Sequence, residues 1–152
     1  MLESVVKYLI KNHISISTME SCTGGLLASL ITDISDASTI LKFSAVTYST
    51  EYKIKMGVSK DVIDKYTVYS KETAMEMART ISRFAGSDIG VGITGRLVSN
   101  LAEDKGAYLC IYDARCDKVY TTFVSIIKST RKENKLEVVK SFIELFNSTI
   151  KK

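Results

Sequence analysis

The sequence predicts an α/β fold, a three-layer α/β/α sandwich around a mixed, mostly parallel sheet of about five strands. Segments with apolar residues at helical spacing alternate with short runs of β-branched and aromatic residues. This alternation is typical of helices that cover both faces of a parallel sheet. Two of the runs are separated by only a short turn, and the resulting hairpin makes the sheet mixed.

The first half of the chain shows two helix–strand alternations around a glycine turn. Residues 2–12 carry apolar side chains on one helical face, and residues 14–19 alternate Ile with Ser or Thr. Gly24-Gly25 marks a sharp turn between strand and helix. In chain order the predicted elements are a helix over 2–12, a strand over 14–19, a helix over 26–31, a strand over 40–49 and a short helix from about Thr50.

The second half is predicted from its helix caps and its apolar runs. Ser59 and Ser70 are expected N-caps, and Gly86 is the expected end of the second of these helices. Strands are predicted at 88–94, 106–113 and 118–127, the last two joined as a hairpin near 114–117. A capping box at 130–133 predicts a final helix. Its predicted apolar face consists of Leu136, Val139, Phe142, Ile143 and Phe146.

Composition excludes several classes of function. The 152 residues predict a single domain over 1–152, and no apolar run reaches the length of a membrane span. The N-terminus lacks a basic segment followed by an apolar one, so we expect a cytoplasmic protein. The net charge of +4 is spread along the chain, which argues against nucleic-acid binding. The chain has three cysteines, none of them in a C-x-x-C pair, and one histidine. This composition predicts no metal site and no metal cofactor.

The first candidate site is Glu20-Ser21-Cys22-Thr23-Gly24-Gly25, where the first strand enters a helix. Ligands of open α/β sheets bind beyond the carboxyl ends of strands. Unpaired amides at a helix start attract a phosphate or an oxyanion, and glycines let the ligand approach the main chain. Taken alone the turn is a weak signal, and an N-cap at Ser21 or Thr23 with glycines that allow close packing is the better explanation of it.

The second candidate is Tyr48 and Lys53, which lie five residues apart across a strand-to-helix junction. At that spacing both side chains can face one cleft. A lysine acts as a base only when it is neutral, which requires burial or a cationic neighbour to bring its pKa to about 7–8. A surface lysine beside a half-buried tyrosine is the alternative.

Together these motifs resemble the C-terminal domain of competence/damage-inducible protein A (CinA) and its stand-alone relatives, the nicotinamide-nucleotide amidohydrolases. The resemblance rests on the Glu-Ser-Cys-Thr-Gly-Gly turn, on Thr47-Tyr48-Ser49 followed by Lys53, and on Ile93-Thr94-Gly95. It continues through 55–58, the helix start at 69–74 and 88–90, and so covers most of the chain in order.

The resemblance implies a metal-independent amidohydrolase without a cofactor. Its expected substrate is a small pyridine nucleotide, nicotinamide mononucleotide, whose carboxamide it hydrolyses to nicotinic acid mononucleotide and ammonia. It also implies a homodimer, whereas the expectation that the protein binds neither nucleic acid nor membrane comes from its composition. By matching motifs, Ser21 is the nucleophile, Lys53 the general base and Tyr48 an assisting group. Residues that bind the phosphate or stabilise the oxyanion are Thr23, Gly24, Gly25, Thr94, Gly95 and Arg131.

The chain departs from the family pattern in two places. After Thr94-Gly95 the family has Ile-Ala-Gly-Pro and a glycine pair, whereas this chain reads Arg96-Leu97-Val98-Ser99-Asn100 and reaches Lys105 quickly. In the family's Gly-Asp-Arg-x-x-x-Arg pattern, Arg131 matches the first arginine and Lys135 replaces the second. Lysine keeps the charge but lacks the forked donors of arginine. Arg96 is either a replacement for lost positive charge or an exposed loop residue.

Four other interpretations compete with this one. The altered loop makes a nucleotide-binding or regulatory module without catalysis the main alternative, and hydrolysis of another small amide is a weaker one. A thiol mechanism at Cys22 lacks a histidine partner, since His13 is the only histidine of the chain. Asp33, Asp36 and Glu51 show no spacing that suggests paired carboxylates, and are interpreted as solvated side chains.

Overall fold

The computed structural model describes residues 1–97 and 106–152. The elements, in chain order, are α1 (Leu2–Lys11), β1 (Ile16–Glu20), α2 (Leu26–Thr32), a 3-10 turn (Ala37–Thr39), β2 (Leu41–Val46), α3 (Thr50–Lys55), α4 (Lys60–Tyr66), α5 (Lys71–Ala85), β3 (Ile89–Arg96), β4 (Gly106–Asp113), β5 (Lys118–Ser125) and α6 (Arg131–Thr149).

The five described strands form one sheet with the order β2-β1-β3-β4-β5. Strand β1 lies at its interior and pairs in parallel with both β2 and β3. The pairs β3–β4 and β4–β5 are antiparallel. Four strands therefore point the same way and β4 opposes them, which confirms the predicted mixed, mostly parallel sheet.

Helices cover both faces of this sheet, and the central strands are accordingly buried on both sides. On one face α1, α2 and α6 pack over the sheet through side chains such as Val6, Leu27 and Phe142. On the other face Met77 of α5 and Ile63 of α4 pack against Met19 of β1. The three-layer α/β/α arrangement is confirmed.

Helix α5 packs closely on β3, because glycines of the strand face small residues of the helix. A Cβ at Gly90 would collide with the carbonyl oxygen of Ala78, and one at Gly92 with that of Ala74. Ala74 and Ala78 lie one helical turn apart and are fully buried. The close packing fixes the position of the sheet end that follows β3.

Most predicted boundaries are confirmed, including the N-caps. The Ser59 and Ser70 side chains accept hydrogen bonds from the main-chain N–H groups of Val62 and Thr73, at 3.3 and 3.1 Å. Gly86 ends α5 in the left-handed conformation. The strand expected over 40–49 is shorter, because the chain leaves the sheet after Val46 to begin α3.

One core residue was predicted wrongly. Leu136 is 48% exposed, whereas Val138 is fully buried. The inward face of α6 is set by Asn134, Val138 and Phe142, all buried, and Leu136 lies on a different side of the helix. Residues 98–100 and 105, named above as part of the altered loop, lie outside the described residues.

Candidate functional site

The site lies where three adjacent parallel strands end. Glu20, the last residue of β1, is level with Val46 of β2 and Ile93 of β3. The next residue of each strand therefore stands at the same edge of the sheet: Ser21, Thr47 and Thr94. Parallel pairing thus brings together motifs that are far apart in the sequence.

Ser21 and Lys53 meet at this edge. Ser21 is held by its main-chain N–H, which donates to the Ile93 carbonyl at 3.0 Å. Lys53 projects inward as the buried residue of α3, a helix capped by the Ser49 hydroxyl. Its Nζ lies 3.0 Å from Ser21 Oγ and donates to the Thr47 carbonyl at 2.7 Å.

The surroundings of Lys53 favour the neutral amine. Only 2% of the residue is exposed, and burial lowers the pKa of its ammonium below the ordinary value, an effect that the neighbouring Cys22 thiol opposes. Its two hydrogen-bond partners in the described chain are a hydroxyl and a carbonyl, neither of them charged. This is the environment that the sequence interpretation required of a lysine base.

Cys22, beside Ser21, is an unreactive thiol at neutral pH. It is 4% exposed, and burial raises its pKa to about 12. The nucleophilic form of cysteine is the thiolate, which is scarcely populated so far below the pKa. The thiol mechanism is therefore disfavoured on electrostatic grounds.

Glu20 organises the turn that follows Ser21, a role that we did not predict from the sequence. Its carboxylate is 1% exposed and accepts hydrogen bonds from the Thr23 hydroxyl at 2.6 Å and from the main-chain N–H groups of Leu27 and Ala28 at 3.0 Å each. The amides at the start of α2, expected to be free for an anion, are thus already paired with Glu20. The signal available in the sequence was a glutamate placed between a predicted strand and the Gly24-Gly25 turn.

Among the other main-chain amides of the turn, only that of Gly24 donates to a main-chain carbonyl of the described residues. The Gly24 N–H donates to the Ser21 carbonyl. The N–H groups of Cys22, Thr23 and Gly25 donate to no main-chain carbonyl within residues 1–97 and 106–152. Gly24 and Gly25 both have positive φ, at 60° and 94°, a conformation that favours glycine.

Six of the nine predicted site residues line one cavity of about 320 Å³, here called the serine cavity. They are Ser21, Tyr48, Lys53, Thr94, Gly95 and Arg131. Arg96 also lines it, so this arginine belongs to the site and is not an outlying loop residue. The cavity is cationic, because Arg96 and Arg131 line it and none of its described lining residues is Asp or Glu.

Two arginine–tyrosine pairs stand in the wall of the serine cavity. Arg131 donates from Nη2 to the Tyr48 hydroxyl at 2.9 Å. The Arg96 guanidinium lies over the Tyr69 ring, 4.2 Å from its centre. Tyr48, 62% exposed, has no hydrogen bond to Ser21 or Lys53. The structure therefore places its hydroxyl beside an arginine, at the mouth of the cavity.

Thr94 and Gly95 form the floor of the cavity on the β3 side. The Thr94 hydroxyl is buried and donates to the Val68 carbonyl at 2.7 Å, which ties β3 to the segment before α5. A Cβ at Gly95 would collide with the main chain of Gly106 and Ala107, so strand pairing alone explains that glycine.

The remaining predicted residues line a second, neighbouring cavity of about 600 Å³, the glycine cavity. Thr23, Gly24 and Gly25 form one side of it, and α6 forms the other with Lys132, Lys135 and the exposed Leu136. Lys135 Nζ lies 3.5 Å from where a Cβ of Gly24 would be. Arg131 borders both cavities.

The other acidic residues considered above lie away from the serine cavity. Glu51 forms an exposed ion pair with Lys55 at 2.7 Å. Asp33 and Asp36 line a different depression, together with α1. Within the described ranges, no group of three His, Cys, Asp or Glu side chains could hold a metal ion. Of the described helices, none combines the length and apolar composition that a membrane crossing needs.

Comparisons with known proteins identify the family of this chain. The family model of the CinA C-terminal domain matches residues 1–150. A CinA-like protein of Kosmotoga olearia is 47% identical over 94 residues, which are 61% of this chain and 23% of the relative. This chain thus spans about a quarter of the length of the curated relatives that it matches.

Solved structures share the fold. The competence/damage inducible protein CihA of Agrobacterium tumefaciens superposes with a TM-score of 0.86 at 25% identity, over 96% of this chain and 93% of that one. The competence damage-inducible protein A of Klebsiella pneumoniae gives a TM-score of 0.87 at 20% identity, over 96% and 92% of the two chains. Because the family model matches residues 1–150 of the 152 in this chain, the chain belongs to the CinA C-terminal domain family.

Proposed function

We propose that this protein is a nicotinamide mononucleotide deamidase that hydrolyses the substrate carboxamide through Ser21 and Lys53. The observation that carries the proposal is the 3.0 Å contact between Ser21 Oγ and the buried Lys53 Nζ, in a cavity with no carboxylate among its described lining residues. A hydroxyl beside a desolvated amine is the arrangement that activates a serine without histidine.

Acylation is the first half of the reaction. Neutral Lys53 accepts the Ser21 proton while Oγ forms a bond to the carboxamide carbon, and the carbonyl oxygen becomes an oxyanion. The Lys53 ammonium then returns this proton to the amide nitrogen, the C–N bond breaks, and ammonia leaves. The products of this half are an ester on Ser21 and a neutral amine ready for a second cycle.

Deacylation repeats the same transfers with water. Lys53 removes a proton from water as its oxygen attacks the ester carbon, and the proton passes to Ser21 Oγ as the ester bond breaks. Nicotinic acid mononucleotide forms as the carboxylic acid and leaves as the carboxylate once the second proton of the water passes to solvent. The Thr47 carbonyl, 2.7 Å from Nζ, keeps the amine directed at Ser21 in both halves.

The oxyanion needs donors beside Ser21. The main-chain N–H groups of Cys22 and Thr23 are the candidates, since they follow the nucleophile and donate to no main-chain carbonyl within the described residues. The Thr23 hydroxyl is not a candidate donor, because it already donates to Glu20.

The substrate phosphate is assigned to the cationic wall of the serine cavity. Arg131 and Arg96 both line it, and arginine matches phosphate oxygens with paired donors. Tyr48, in contact with Arg131, is then a group that orients this arginine, which gives a specific form to the assisting role that the resemblance implied for it.

The test measures ammonia release from nicotinamide mononucleotide by the purified chain, its Ser21→Ala variant and its Lys53→Ala variant. We expect turnover by the native chain and a loss of about 10³-fold or more in each variant, since both groups act in the same step. Ser148→Ala and Lys55→Ala are matched controls, because both side chains are exposed and neither lines the serine cavity.

Each outcome discriminates between functions. Ligand-dependent thermal stabilisation without ammonia would favour the binding module, which the Lys135 and loop departures from the family pattern motivate. Turnover that persists in Ser21→Ala would refute the assigned nucleophile. Ammonia from another small amide, but not from the mononucleotide, would correct the substrate and keep the chemistry.

A further inference from the structure

Asn134 is a buried polar residue on α6 that the sequence did not single out. It is 1% exposed and makes three hydrogen bonds to main-chain atoms. Its Nδ2 donates to the Leu97 carbonyl at 2.9 Å and to the Lys128 carbonyl at 3.1 Å, and its Oδ1 accepts from the Lys128 N–H at 3.1 Å. Both donors and the carbonyl oxygen of the amide are therefore used.

The two segments that Asn134 joins carry the two arginines of the serine cavity. Leu97 follows Arg96 directly at the end of β3. Arg131 opens α6, three residues before Asn134, so both lie on the same helical turn. One side-chain amide thus connects the start of α6 to the end of β3.

The separation of the arginines depends on this connection. Each guanidinium also rests on a tyrosine, Arg96 over the Tyr69 ring and Arg131 on the Tyr48 hydroxyl. These contacts orient the two side chains, whereas Asn134 fixes the distance between the main chains that carry them. A dianionic phosphate between two cations is sensitive to such a distance, since Coulomb attraction and paired hydrogen bonds both weaken as the charges separate.

We propose that Asn134 is a positioning residue that holds Arg96 and Arg131 at the spacing that binds the phosphate of the substrate. This inference rests on the proposed function for the identity of the ligand, a phosphate monoester. It assigns Asn134 no contact with the substrate. Its effect passes through the two arginines and leaves the Ser21–Lys53 pair unchanged, because that pair is held by β1, β2 and α3.

The test compares two ligands that differ only in the phosphate. Dissociation constants are measured by calorimetric titration of nicotinamide mononucleotide and of nicotinamide riboside, in a Ser21→Ala background so that neither ligand is hydrolysed. Asn134→Leu keeps much of the side-chain volume and removes all three hydrogen bonds. We expect it to weaken mononucleotide binding about tenfold or more and riboside binding less than about twofold.

The matched control is Thr130→Ala. The Thr130 hydroxyl caps α6 by accepting from the Glu133 N–H at 3.2 Å, so its loss loosens the same end of the helix without touching Leu97. We expect the control to lower the Tm and to leave the mononucleotide-to-riboside affinity ratio unchanged. Asn134→Ala, which removes the same three hydrogen bonds without adding a charge, replaces Asn134→Leu if the latter does not fold, with the same expected loss of selectivity.

The outcomes separate this inference from the proposed function. Equal weakening of both ligands, or of neither, by the Asn134 variants would overturn the positioning role, as would the same change of ratio in Thr130→Ala. A native chain that binds the mononucleotide more tightly than the riboside but releases no ammonia would refute the proposed deamidase activity and leave the positioning role of Asn134 standing. A chain that binds neither ligand would overturn both.

Discussion

Glu20→Gln tests whether the buried carboxylate before Ser21 stabilises the turn. The substitution keeps the size of the side chain, removes the charge and replaces one acceptor oxygen with a donor. Three hydrogen bonds are affected, from Thr23 Oγ1 and from the N–H groups of Leu27 and Ala28. At least one of the three must be lost, because the new amide nitrogen cannot accept.

The magnitude follows from these contacts. A hydrogen bond to a charged group contributes about 1.5–3 kcal/mol and a neutral one about 0.5–1.5 kcal/mol, so one lost and two weakened bonds amount to roughly 3–5 kcal/mol. The lower cost of burying a neutral amide offsets part of this, which leaves about 2–4 kcal/mol of destabilisation. For a chain of this size the Tm should fall by about 4–16 °C.

Thermal and urea unfolding, followed by circular dichroism, measure this change. Glu3→Gln is the matched control, since it makes the same chemical change at an exposed ion pair with Lys7 and should leave the Tm where it is. A Glu20→Gln protein that unfolds within about 0.5 kcal/mol of the native chain would refute the assigned role of the carboxylate.

Four further predictions concern the core and the site. Phe142→Ala should cost roughly 3–5 kcal/mol of unfolding free energy and Leu136→Ala under about 0.5 kcal/mol in urea titrations, because the first side chain is fully buried and the second is 48% exposed. Ammonia release should rise as the pH passes through the lowered pKa of Lys53, since only the neutral amine accepts the serine proton. A rate that falls over that range would contradict the role of Lys53 as the general base. Because the folded pKa of Lys53 is depressed, the unfolded chain binds more protons between that pKa and 10.5, so stability rises with pH there, and Lys53→Met should flatten this rise. Cys22→Ala should retain most of the activity, whereas a complete loss would revive the thiol mechanism.

The fold was predictable because its signals are local. Ser59, Ser70 and Thr130 each cap a helix where the sequence places a cap, and Gly86 ends α5. The helical phase of α6 was not predictable in this way. Leu136 fits the apolar stripe by spacing, but the buried face of α6 runs through Asn134, Val138 and Phe142, and Leu136 lies outside it.

The site was predictable only in part, because several of its contacts join segments that are distant in the sequence. Ser21 and Lys53 were brought together by motif resemblance, and the structure places their side chains in contact. No pattern in the sequence indicates that Tyr48 hydrogen-bonds Arg131, 83 positions away, or that Glu20 pairs with the amides of α2. Such contacts depend on how distant segments pack, and a single sequence does not record them.

The pairing of Glu20 also bears on why Lys53 is suited to act as a base. The two residues flank the same strand end, and a carboxylate beside a buried ammonium would raise the pKa of the lysine and keep it charged. The Glu20 carboxylate is instead bound to Thr23 and to two amides of α2, and Lys53 is bound to Thr47 and Ser21. Burial is the largest influence on the pKa of Lys53 and lowers it, while the neighbouring Cys22 opposes this effect. Glu20→Gln should therefore reduce stability while the pH at which the rate rises stays unchanged.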